Sequence, residues 1–403
     1  MKICMLAHRI VPPWDEGVKN NVIRLSKALA EFDHKVYILT SFDENFTCKE
    51  KGIEFRKIPL FNPKSSYPQK TFRFLVKCVP KVKRTVINLH CDVLHIHLHP
   101  SLLTFLGLTL LKGVNVPIIQ TVHAQPRHIL DDFKSRIQVR AGLSQVDIVT
   151  VSSAWLKNQL LKSGVPLEKI KRIPIGIFLD NYTTKRLTRK KLEEFGFSSD
   201  DFIILYGSGV GFYRGDTVML NALRKVCRKI KNVKCIFNTR QRILEQDNDR
   251  VAFIKNKIRE MGLQSNVKLI GTREDLTEIY AISHVLVMPL ISPIAKLDYP
   301  LTIIEGFATG IPVIATNVGA IPEIVINGFN GFLLPPRDPD LLAQTILKLI
   351  KKPHLRVILG ENAQRFARKK FDIYNTAKKI IEIYKHITCF KSRTIQSKVH
   401  KFF

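Results

Sequence analysis

The sequence is poor in acidic residues: 34 Asp and Glu stand against 64 Lys and Arg, a formal net charge of +30 over 403 residues. It also lacks long apolar runs, because the longest, residues 102–111, is far below the roughly 20 residues that span a bilayer. The first residues hold too short an apolar stretch for a signal peptide. We therefore predict a chain that does not cross a membrane. Its charge favours anionic partners: nucleic acid, lipid headgroups or phosphorylated small molecules.

The seven cysteines are scattered, odd in number and never spaced as C-x-x-C. This pattern supports neither a disulfide framework nor a cysteine zinc site, and it predicts a reduced, cytosolic compartment. With only 20 Gly and 20 Pro a collagen-like chain is excluded, and 45% hydrophobic residues exclude wholesale disorder. The length predicts two domains.

Short β-branched runs alternate with helical patterns from end to end, which indicates parallel sheets covered by helices on both faces. The predicted strands are 3–7, 36–40, 93–97, 118–122, 148–151, 203–206, 234–238, 267–270, 285–289, 313–315 and 332–334. A polar, basic segment, 180–201, separates the two halves. Near the end, one helical face is predicted to pack on another element; it comprises Tyr374, Ala377, Ile380, Ile381, Tyr384 and Ile387.

The most informative segment is residues 285–334. A strand ends at Pro289, and a helix begins near Pro300, a residue suited to a first helical turn. Free backbone N–H groups there, from Leu301, Thr302 and Ile303, would form an anion site suited to a diphosphate. Glu305, one turn further, could accept hydrogen bonds from ribose hydroxyls, although by itself it reads as a partly exposed helix residue.

The stretch PLTIIEGFATGIPVIATNVGAIPEIV, followed by NGFNGFLLPPRDPDLLAQTI, resembles the signature region of glycosyltransferase family 4, the group 1 glycosyltransferases of GT-B fold. PPWDEGVKNNVIRLSKALAEFDHKVYILT, CDVLHIH and TVHA resemble the family's N-terminal domain, and FARKKFDIYNTAKKIIEIYKHI resembles its closing helix. The resemblance implies an α/β fold with two Rossmann-like domains that face a cleft. It implies an acceptor-binding domain at 1–180, a nucleotide-sugar-binding domain at 181–372, a crossover helix at 373–390 that returns to the first domain, and a basic tail at 391–403.

The activity that the resemblance implies is transfer of a sugar from a nucleotide-diphosphate-sugar donor to an acceptor, with retention of anomeric configuration. The family commonly needs no metal, so the donor is the expected co-substrate and no cofactor or metal is expected. In the family's usual account no protein nucleophile takes part, because the leaving diphosphate assists acceptor attack on the same face.

The resemblance also assigns roles to individual residues. Glu305 matches the family's ribose-binding glutamate, and Arg214, in YRG, matches the basic residue that neutralises the leaving diphosphate. Gly17 matches a loop glycine that lets backbone approach a ligand, and His123 matches a histidine near the transferred sugar. Without the resemblance, Arg214 reads as a solvated surface charge and His123 as a core histidine. The predicted catalytic residues are His123, Arg214 and Glu305, and the predicted donor-binding residues are Gly17, Gly207, Ser208, Arg214, Asp298, Leu301, Thr302, Ile303 and Glu305.

Two positions depart from the family pattern. Leu297 stands where the first glutamate of the family's pair belongs, and the adjacent Asp298 could substitute for it. Ser208 follows Gly207 where the family usually has arginine. These departures leave open a catalytically weak or silent homologue that acts as a binding or partner subunit.

Two other kinds of site are disfavoured. Residues 207–211 (GSGVG) follow a strand, but Phe212 stands where the dinucleotide fingerprint needs its third glycine. His95, His97 and His99 alternate as on one face of a strand, where neighbours lie nearly 7 Å apart and can hardly share one tetrahedral metal.

Basic residues concentrate in two acid-free segments. The first also contains the apolar residues Phe72, Phe74, Leu75, Val76 and Val79, and the second, near the end of the chain, is followed by Phe402 and Phe403. The basic residues are Arg56, Lys57, Lys64, Lys70, Arg73, Lys77, Lys81, Lys83 and Arg84, and, near the end, Lys385, Lys391, Arg393, Lys398 and Lys401. This pattern fits an anionic membrane surface, so we predict a cytoplasmic protein, peripheral on the inner face of the membrane, that glycosylates a lipid-linked acceptor or membrane glycan precursor. A solvated basic face stays an alternative. No nucleic-acid partner is expected, because no nucleic-acid module is recognisable.

Overall fold

The structure is a computed structural model that describes residues 1–12, 16–42, 46, 48, 50–59, 73–111, 114–123, 133–182, 189–239, 245–271, 276–293 and 298–399. The chain forms two compact units. The first comprises Met1–Gly176 together with Ile373–Phe403, and the second comprises Ile177–Asp372. The last segment of the chain thus belongs to the first unit.

Within the described residues, the first unit contains a seven-stranded parallel sheet in the order β3-β2-β1-β4-β5-β6-β7. Its strands are β1 (Lys2–Leu6), β2 (Lys35–Thr40), β3 (Ile53–Lys57), β4 (Val93–Ile96), β5 (Ile118–Thr121), β6 (Ile148–Val151) and β7 (Ile170–Arg172). The central strands are almost wholly buried, as expected for a parallel sheet covered on both faces.

The helices of this unit are α1 (Gly17–Glu31), α2 (Val79–Asn88), α3 (Leu102–Leu110), α4 (Phe133–Ser144), α5 (Ala154–Lys162) and α13 (Ile373–Val399), and a π-helix, Arg73–Cys78, leads into α2. Two helices begin at serine caps, because the Ser101 and Ser153 hydroxyl oxygens accept the Thr104 and Leu156 amides at 3.2 and 3.0 Å. Helix α13 packs against α1. It runs nine residues beyond the predicted crossover helix, because 391–399 contains no Gly or Pro to end it.

Within the described residues, the second unit contains a six-stranded parallel sheet in the order β10-β9-β8-β11-β12-β13. Its strands are β8 (Phe202–Tyr206), β9 (Val233–Asn238), β10 (Val267–Ile270), β11 (Val285–Met288), β12 (Val313–Thr316) and β13 (Gly331–Leu334). Its helices are α6 (Arg189–Glu194), α7 (Asp216–Lys229), α8 (Glu245–Glu260), α9 (Thr277–Ile282), α10 (Leu301–Ala308), α11 (Pro339–Lys351) and α12 (Pro353–Lys370). Both units are therefore α/β domains with parallel sheets, as the sequence predicted.

The cysteine prediction was wrong at one pair. Cys4 and Cys91 form a disulfide with their Cα atoms 6.2 Å apart, although 87 residues separate them in sequence. The reason is strand order: Cys4 lies in β1, and Cys91 leads into β4, which pairs with β1. The spacing of the cysteines along the chain does not reveal that β1 and β4 are neighbours in the sheet.

The helical face predicted near the C-terminus is buried at five of its six positions: Ala377, Ile380, Ile381, Tyr384 and Ile387. The exception is Tyr374, which is 37% exposed and contacts the ring of Phe32 edge-on at 6.2 Å between centroids. The face was thus read correctly, apart from its first residue.

Candidate functional site

The predicted donor-binding residues of the second unit gather where β8 and β11 end. Gly207 follows β8, and its amide donates to the Val287 carbonyl of the adjacent strand at 3.0 Å. A Cβ at Gly207 would lie 2.5 Å from Leu286 Cδ1 and 2.9 Å from Thr302 Cγ2. Only glycine lets this strand end approach the first turn of α10 so closely, so the structure brings Gly207 and Thr302 together. In open α/β sheets this edge is where ligands bind.

Helix α10 begins directly after Pro300, as predicted. Its first amides, Leu301 and Thr302, have no acceptor within the helix by the geometry of a first turn. Ile303 differs from the prediction, because its amide donates to the Pro300 carbonyl at 3.0 Å. A tight first turn thus uses one of the three N–H groups that we expected to be free.

Arg214 lies in the loop between β8 and α7 and is half-buried, so the reading as a solvated surface charge is wrong. Its guanidinium donates to the Ser208 carbonyl, and its own carbonyl accepts the Tyr206 hydroxyl at 2.9 Å. Ser208, buried where the family usually has arginine, thereby supports Arg214 through its backbone.

The Arg214 loop packs against the segment that follows β11. Gly215 has a φ of +75°, and a Cβ there would lie 1.8 Å from the Pro289 carbonyl oxygen. The Ile291 amide donates to the Tyr213 carbonyl at 3.0 Å. These contacts fix the basic loop beside the segment that leads to α10, where an anionic ligand would meet both.

Asp216, the first residue of α7, holds the other side of this loop. It is 1% exposed, and its carboxylate accepts the Gly211 amide at 3.1 Å and the Thr217 amide at 2.7 Å. Arg250 of α8 adds a bidentate pair, with Nε at 3.0 Å and Nη2 at 2.5 Å from the two carboxylate oxygens. The Arg250 guanidinium also lies 5.0 Å from the ring centre of Phe212. Sequence reasoning missed this pair, because its members are 34 residues apart.

Glu305 is buried in α10, not partly exposed as its sequence position alone suggested. Its Oε1 accepts the Tyr182 hydroxyl at 3.0 Å, and its Oε2 accepts the Tyr280 hydroxyl at 2.8 Å. The carboxylate is therefore held by two other elements of the same unit. Neither tyrosine was predicted, because they lie 123 and 25 residues from Glu305 and no local pattern marks them.

The position of the missing first glutamate, Leu297, lies outside the described residues. The neighbouring Asp298 is described and half-buried, and its Oδ1 accepts the amide of Tyr299 at 2.9 Å. The Tyr299 hydroxyl donates to Glu323 Oε2 at 2.8 Å, so this second acidic residue braces the start of α10.

In the first unit, His123 follows β5 and belongs to a hydrogen-bonded chain. Its Nδ1 lies 3.3 Å from the Asn21 amide nitrogen of α1, and its Nε2 lies 3.0 Å from His97 Nδ1. Both ring nitrogens of His123 thus have protein partners, whereas His97 Nε2 is buried without a partner among the described residues. Burial lowers the pKa of His123 to about 4 and also lowers that of His97, so both rings are neutral near pH 7.

His95 joins a second polar chain beneath this one. Its Nδ1 lies 2.6 Å from the Tyr384 hydroxyl of α13, and its Nε2 lies 2.7 Å from Thr121 Oγ1. Burial lowers the pKa of His95 to about 3. His95, a neutral histidine of β4 with a hydrogen-bond partner at each ring nitrogen, thus links β4 to the terminal helix α13.

Gly17, the remaining predicted ligand residue, is the exposed first residue of α1. His95 and His97 lie with ring centroids 4.2 Å apart, closer than the strand spacing suggested, because β4 ends at Ile96 and His97 leaves the strand. Across the part of the chain that the structure describes, no three His, Cys, Asp or Glu side chains gather as a metal site.

Comparison with known families matches these two units separately. Residues 188–366 match the profile of "Glycosyl transferases group 1", and residues 16–181 match that of "Glycosyltransferase Family 4". Together the two profiles cover most of the chain. The protein is a group 1 glycosyltransferase of GT-B fold.

Individual relatives of this glycosyltransferase are distant but match over nearly its full length. N-acetyl-alpha-D-glucosaminyl L-malate synthase of Bacillus anthracis is 24% identical over 90% of this chain and 91% of its own. Among solved structures, HepE of Anabaena in complex with UDP and glucose has a TM-score of 0.78 at 20% identity, covering 96% of this chain and 100% of its own. Sucrose-phosphate synthase of Thermosynechococcus elongatus has a TM-score of 0.80 at 21% identity, covering 96% and 99%. At these identities the structures establish the fold.

The basic segments of the glycosyltransferase are only partly as predicted. Phe74 and Val79 are buried in the core of the first unit and cannot contact a membrane, whereas Val76 is 53% exposed. Lys64, Lys70, Phe72, Lys401, Phe402 and Phe403 lie outside the described residues. Among the helices that are described, none combines the length and hydropathy needed to cross a bilayer.

Proposed function

We propose that this protein transfers a sugar from a nucleotide-diphosphate-sugar donor to an acceptor, with retention of configuration. The second unit would bind the donor and the first the acceptor. The observation that carries the donor assignment is the buried Glu305 carboxylate, one turn into a helix whose start lies beside Gly207. HepE, which has this fold, was solved with UDP and glucose, and this supports a nucleotide-sugar donor.

The chemistry would use the charge and dipoles of this edge. Arg214 and the first amides of α10 would neutralise the diphosphate as it leaves, and such preorganised donors strengthen as charge develops. The acceptor hydroxyl oxygen would bond to the anomeric carbon while the bond from that carbon to the diphosphate oxygen breaks. The hydroxyl proton would pass to the leaving diphosphate. This transfer requires the acceptor to attack from the face of the sugar that the diphosphate leaves, so the anomeric configuration is retained.

The test of this proposal is a panel of nucleoside diphosphates. We expect at least one of UDP, GDP, ADP and TDP to raise the melting temperature, since a ligand that binds the folded state stabilises it. Glu305→Ala should abolish the shift. Asp340→Ala, which removes an exposed carboxylate of the same unit, serves as the control and should preserve it. A panel without any shift would favour the catalytically silent homologue that the Ser208 and Leu297 departures leave open.

Two further measurements test the mechanism. Proton NMR of the product formed from an α-linked donor should show an α-linkage, and a β-linkage would refute retention. Transfer should proceed unchanged after extraction with EDTA, because Arg214 and the helix start supply the charge that a metal would otherwise supply. Loss of activity that Mg²⁺ or Mn²⁺ restores would refute this assignment.

We further propose that the acceptor is lipid-linked or a membrane glycan precursor and that the protein binds the inner face of the membrane. Helix α2 and the turn before it support this proposal. Lys77, Lys81 and Arg84 are exposed there, and beside them Val76 and Ile87 are 53% and 49% exposed. Cationic and apolar side chains on one short segment fit an anionic lipid surface.

Sedimentation with vesicles of phosphatidylcholine and phosphatidylglycerol tests the membrane proposal. Each basic residue contributes about 1 kcal/mol near an anionic surface, so changing Lys77, Lys81, Lys83 and Arg84 to glutamine should weaken partitioning by roughly two to three orders of magnitude. The matched control changes four basic residues of the second unit to glutamine, and it should have a much smaller effect; these are Arg224, Arg228, Lys229 and Lys231. Truncation before Lys391 tests the terminal segment separately. An equal loss of vesicle binding in both quadruple variants would show that net charge alone drives binding and would favour the solvated basic face.

A further inference from the structure

Two neighbouring strand ends of the first unit are joined through their histidines. His97 follows β4 and His123 follows β5, and these two strands pair in the sheet. His97 Nδ1 lies 3.0 Å from His123 Nε2, and the ring planes differ by 25° with centroids 5.3 Å apart. The rings therefore meet edge to edge, as in an N–H···N hydrogen bond. In open α/β sheets, ligands bind at this edge.

The partners of His123 determine which of its ring nitrogens carries the proton. Burial keeps the ring neutral near pH 7, so only one nitrogen is protonated. The amide nitrogen of Asn21, in α1, lies 3.3 Å from His123 Nδ1 and can donate but not accept. His123 Nδ1 is therefore the unprotonated nitrogen, and the proton lies on Nε2, which donates to His97 Nδ1.

The same reasoning extends to His97, which is 5% exposed and also neutral near pH 7. Its Nδ1 accepts from His123, so its own proton lies on Nε2. That nitrogen is buried without a hydrogen-bond partner among the described residues. The ring of His95 lies 4.2 Å from that of His97 between centroids and restricts its rotation. A buried donor without a partner lowers stability, so its presence in a folded protein calls for a functional reason.

We propose that Asn21 and His97 are positioning residues that hold His123 in one ring orientation and in one tautomer, with its proton on Nε2. Asn21 selects the tautomer, because its amide nitrogen can only donate, whereas a ring nitrogen of His97 can donate or accept. The inference rests on the proposed function, in which the first unit binds the acceptor. With both ring nitrogens bound to protein partners, His123 shapes the acceptor side of the site and exchanges no proton with the acceptor.

¹⁵N NMR of the full chain with labelled histidine rings tests the proposal, because protonated and unprotonated nitrogens of a neutral imidazole have well-separated chemical shifts. His123→Gln and His97→Gln assign the signals. In the wild-type protein at pH 7 we expect Nε2 to be protonated and Nδ1 unprotonated in both rings. Asn21→Ala removes the donor, so the hydrogen bond between the rings can run in either direction, and both rings should show averaged shifts.

Asn21→Asp is a second variant, in which a carboxylate that can only accept replaces the donor. We expect a proton on His123 Nδ1 and a raised pKa of His123, since a nearby negative charge favours the imidazolium. The control is Ser26→Ala, which removes another buried polar group of α1, a hydroxyl that donates to Met5 Sδ at 3.1 Å. It should leave the signals of both rings unchanged.

The role of His97 has a separate readout. His97→Ala should keep the His123 tautomer, because Asn21 still donates to Nδ1, but it removes the acceptor of the Nε2 proton. Exchange of that proton with water should therefore become faster than in the wild-type protein. An unchanged exchange rate would refute the positioning role of His97.

The outcomes for Asn21 are equally distinct from those of the proposed function. A wild-type His123 with its proton on Nδ1 would refute the assigned tautomer. Signals of His123 that stay as in the wild-type protein in both Asn21 variants would refute the role of Asn21. These spectra are recorded without any nucleotide, so a panel of nucleoside diphosphates that gives no melting-temperature shift refutes the proposed donor site and leaves this inference to the ring signals.

Discussion

Replacing Asp216 by alanine tests whether a buried ion pair holds the loop that carries Arg214. The substitution removes the acceptor of two backbone amides and leaves the Arg250 guanidinium, whose side chain is 13% exposed, without its anion. Loss of one partner of a buried pair typically costs roughly 3–5 kcal/mol. We expect the lower part of that range, because stacking on Phe212 and Phe253 still stabilises the arginine.

The assay is equilibrium unfolding in urea, followed by two probes. Trp155 lies in the first unit, and the other tryptophan, at position 14, falls within that unit's sequence bounds. Tryptophan fluorescence should therefore report the first unit, whereas far-ultraviolet circular dichroism reports both. The Asp216→Ala loss should appear in the dichroism transition.

The control is Asp340→Ala, which breaks the exposed pair between Asp340 and Lys225 of the same unit and should cost less than about 1 kcal/mol. The reasoning is refuted if Asp216→Ala costs no more than this control. It is also refuted if Asp216→Ala leaves the affinity for the nucleoside diphosphate unchanged, since a released loop would no longer present Arg214.

Three other predictions concern stability. Three histidines of the first unit, His95, His97 and His123, have pKa values that burial lowers in the folded state, so between about pH 4 and 6.5 the unfolded chain binds more protons. The stability that these groups contribute is fully present above pH 6.5 and falls with acidification. Each such histidine contributes about 1.4 kcal/mol per pH unit to the free energy of unfolding in that window. The free energy of unfolding in urea should therefore differ less between pH 7 and pH 5 in His123→Gln than in the wild-type protein. Gly360→Ala should lower the melting temperature, because the new Cβ would lie 2.0 Å from the Gly310 carbonyl oxygen. Gly271→Ala, whose Cβ would have no described neighbour within 4 Å, should change it little. Tyr384→Phe leaves a buried ring nitrogen of His95 unpaired and should cost about 1–3 kcal/mol in urea unfolding; no loss would show that this bond adds nothing.

The strands that sequence patterns missed have a common physical cause. Each of the 11 predicted strands forms, with bounds shifted by at most one residue. The two that were missed, β3 and β7, are the edges of the first sheet. Edge strands face solvent, and both carry charged side chains at exposed positions, so they lack the continuous apolar run that marks a central parallel strand.

The candidate site was predictable only in part. Glu305, Arg214, Gly207 and Thr302 were predicted because they belong to ordered motifs. The structure brings Gly207 and Thr302 together and places Arg214 in the loop that follows β8, and their role in donor binding stays a prediction. The tyrosine partners of Glu305 carry no motif, and Tyr182 lies 123 residues away. For His123 the family pattern named the residue but not its partner His97, which takes one of its ring nitrogens.

The sequence by itself determined the alternation of strands and helices and the family, and it predicted a candidate site, because hydrophobic period, glycine and proline act over a few residues. Only the tertiary structure decided which of those residues meet. Strand order placed β1 beside β4, which joined Cys4 to Cys91. The packing of α9 and the Leu179–Tyr182 turn against α10 gave Glu305 its two donors. Such encounters depend on how whole elements pack across the sheet, and that packing is a property of the assembled core rather than of any short stretch of chain.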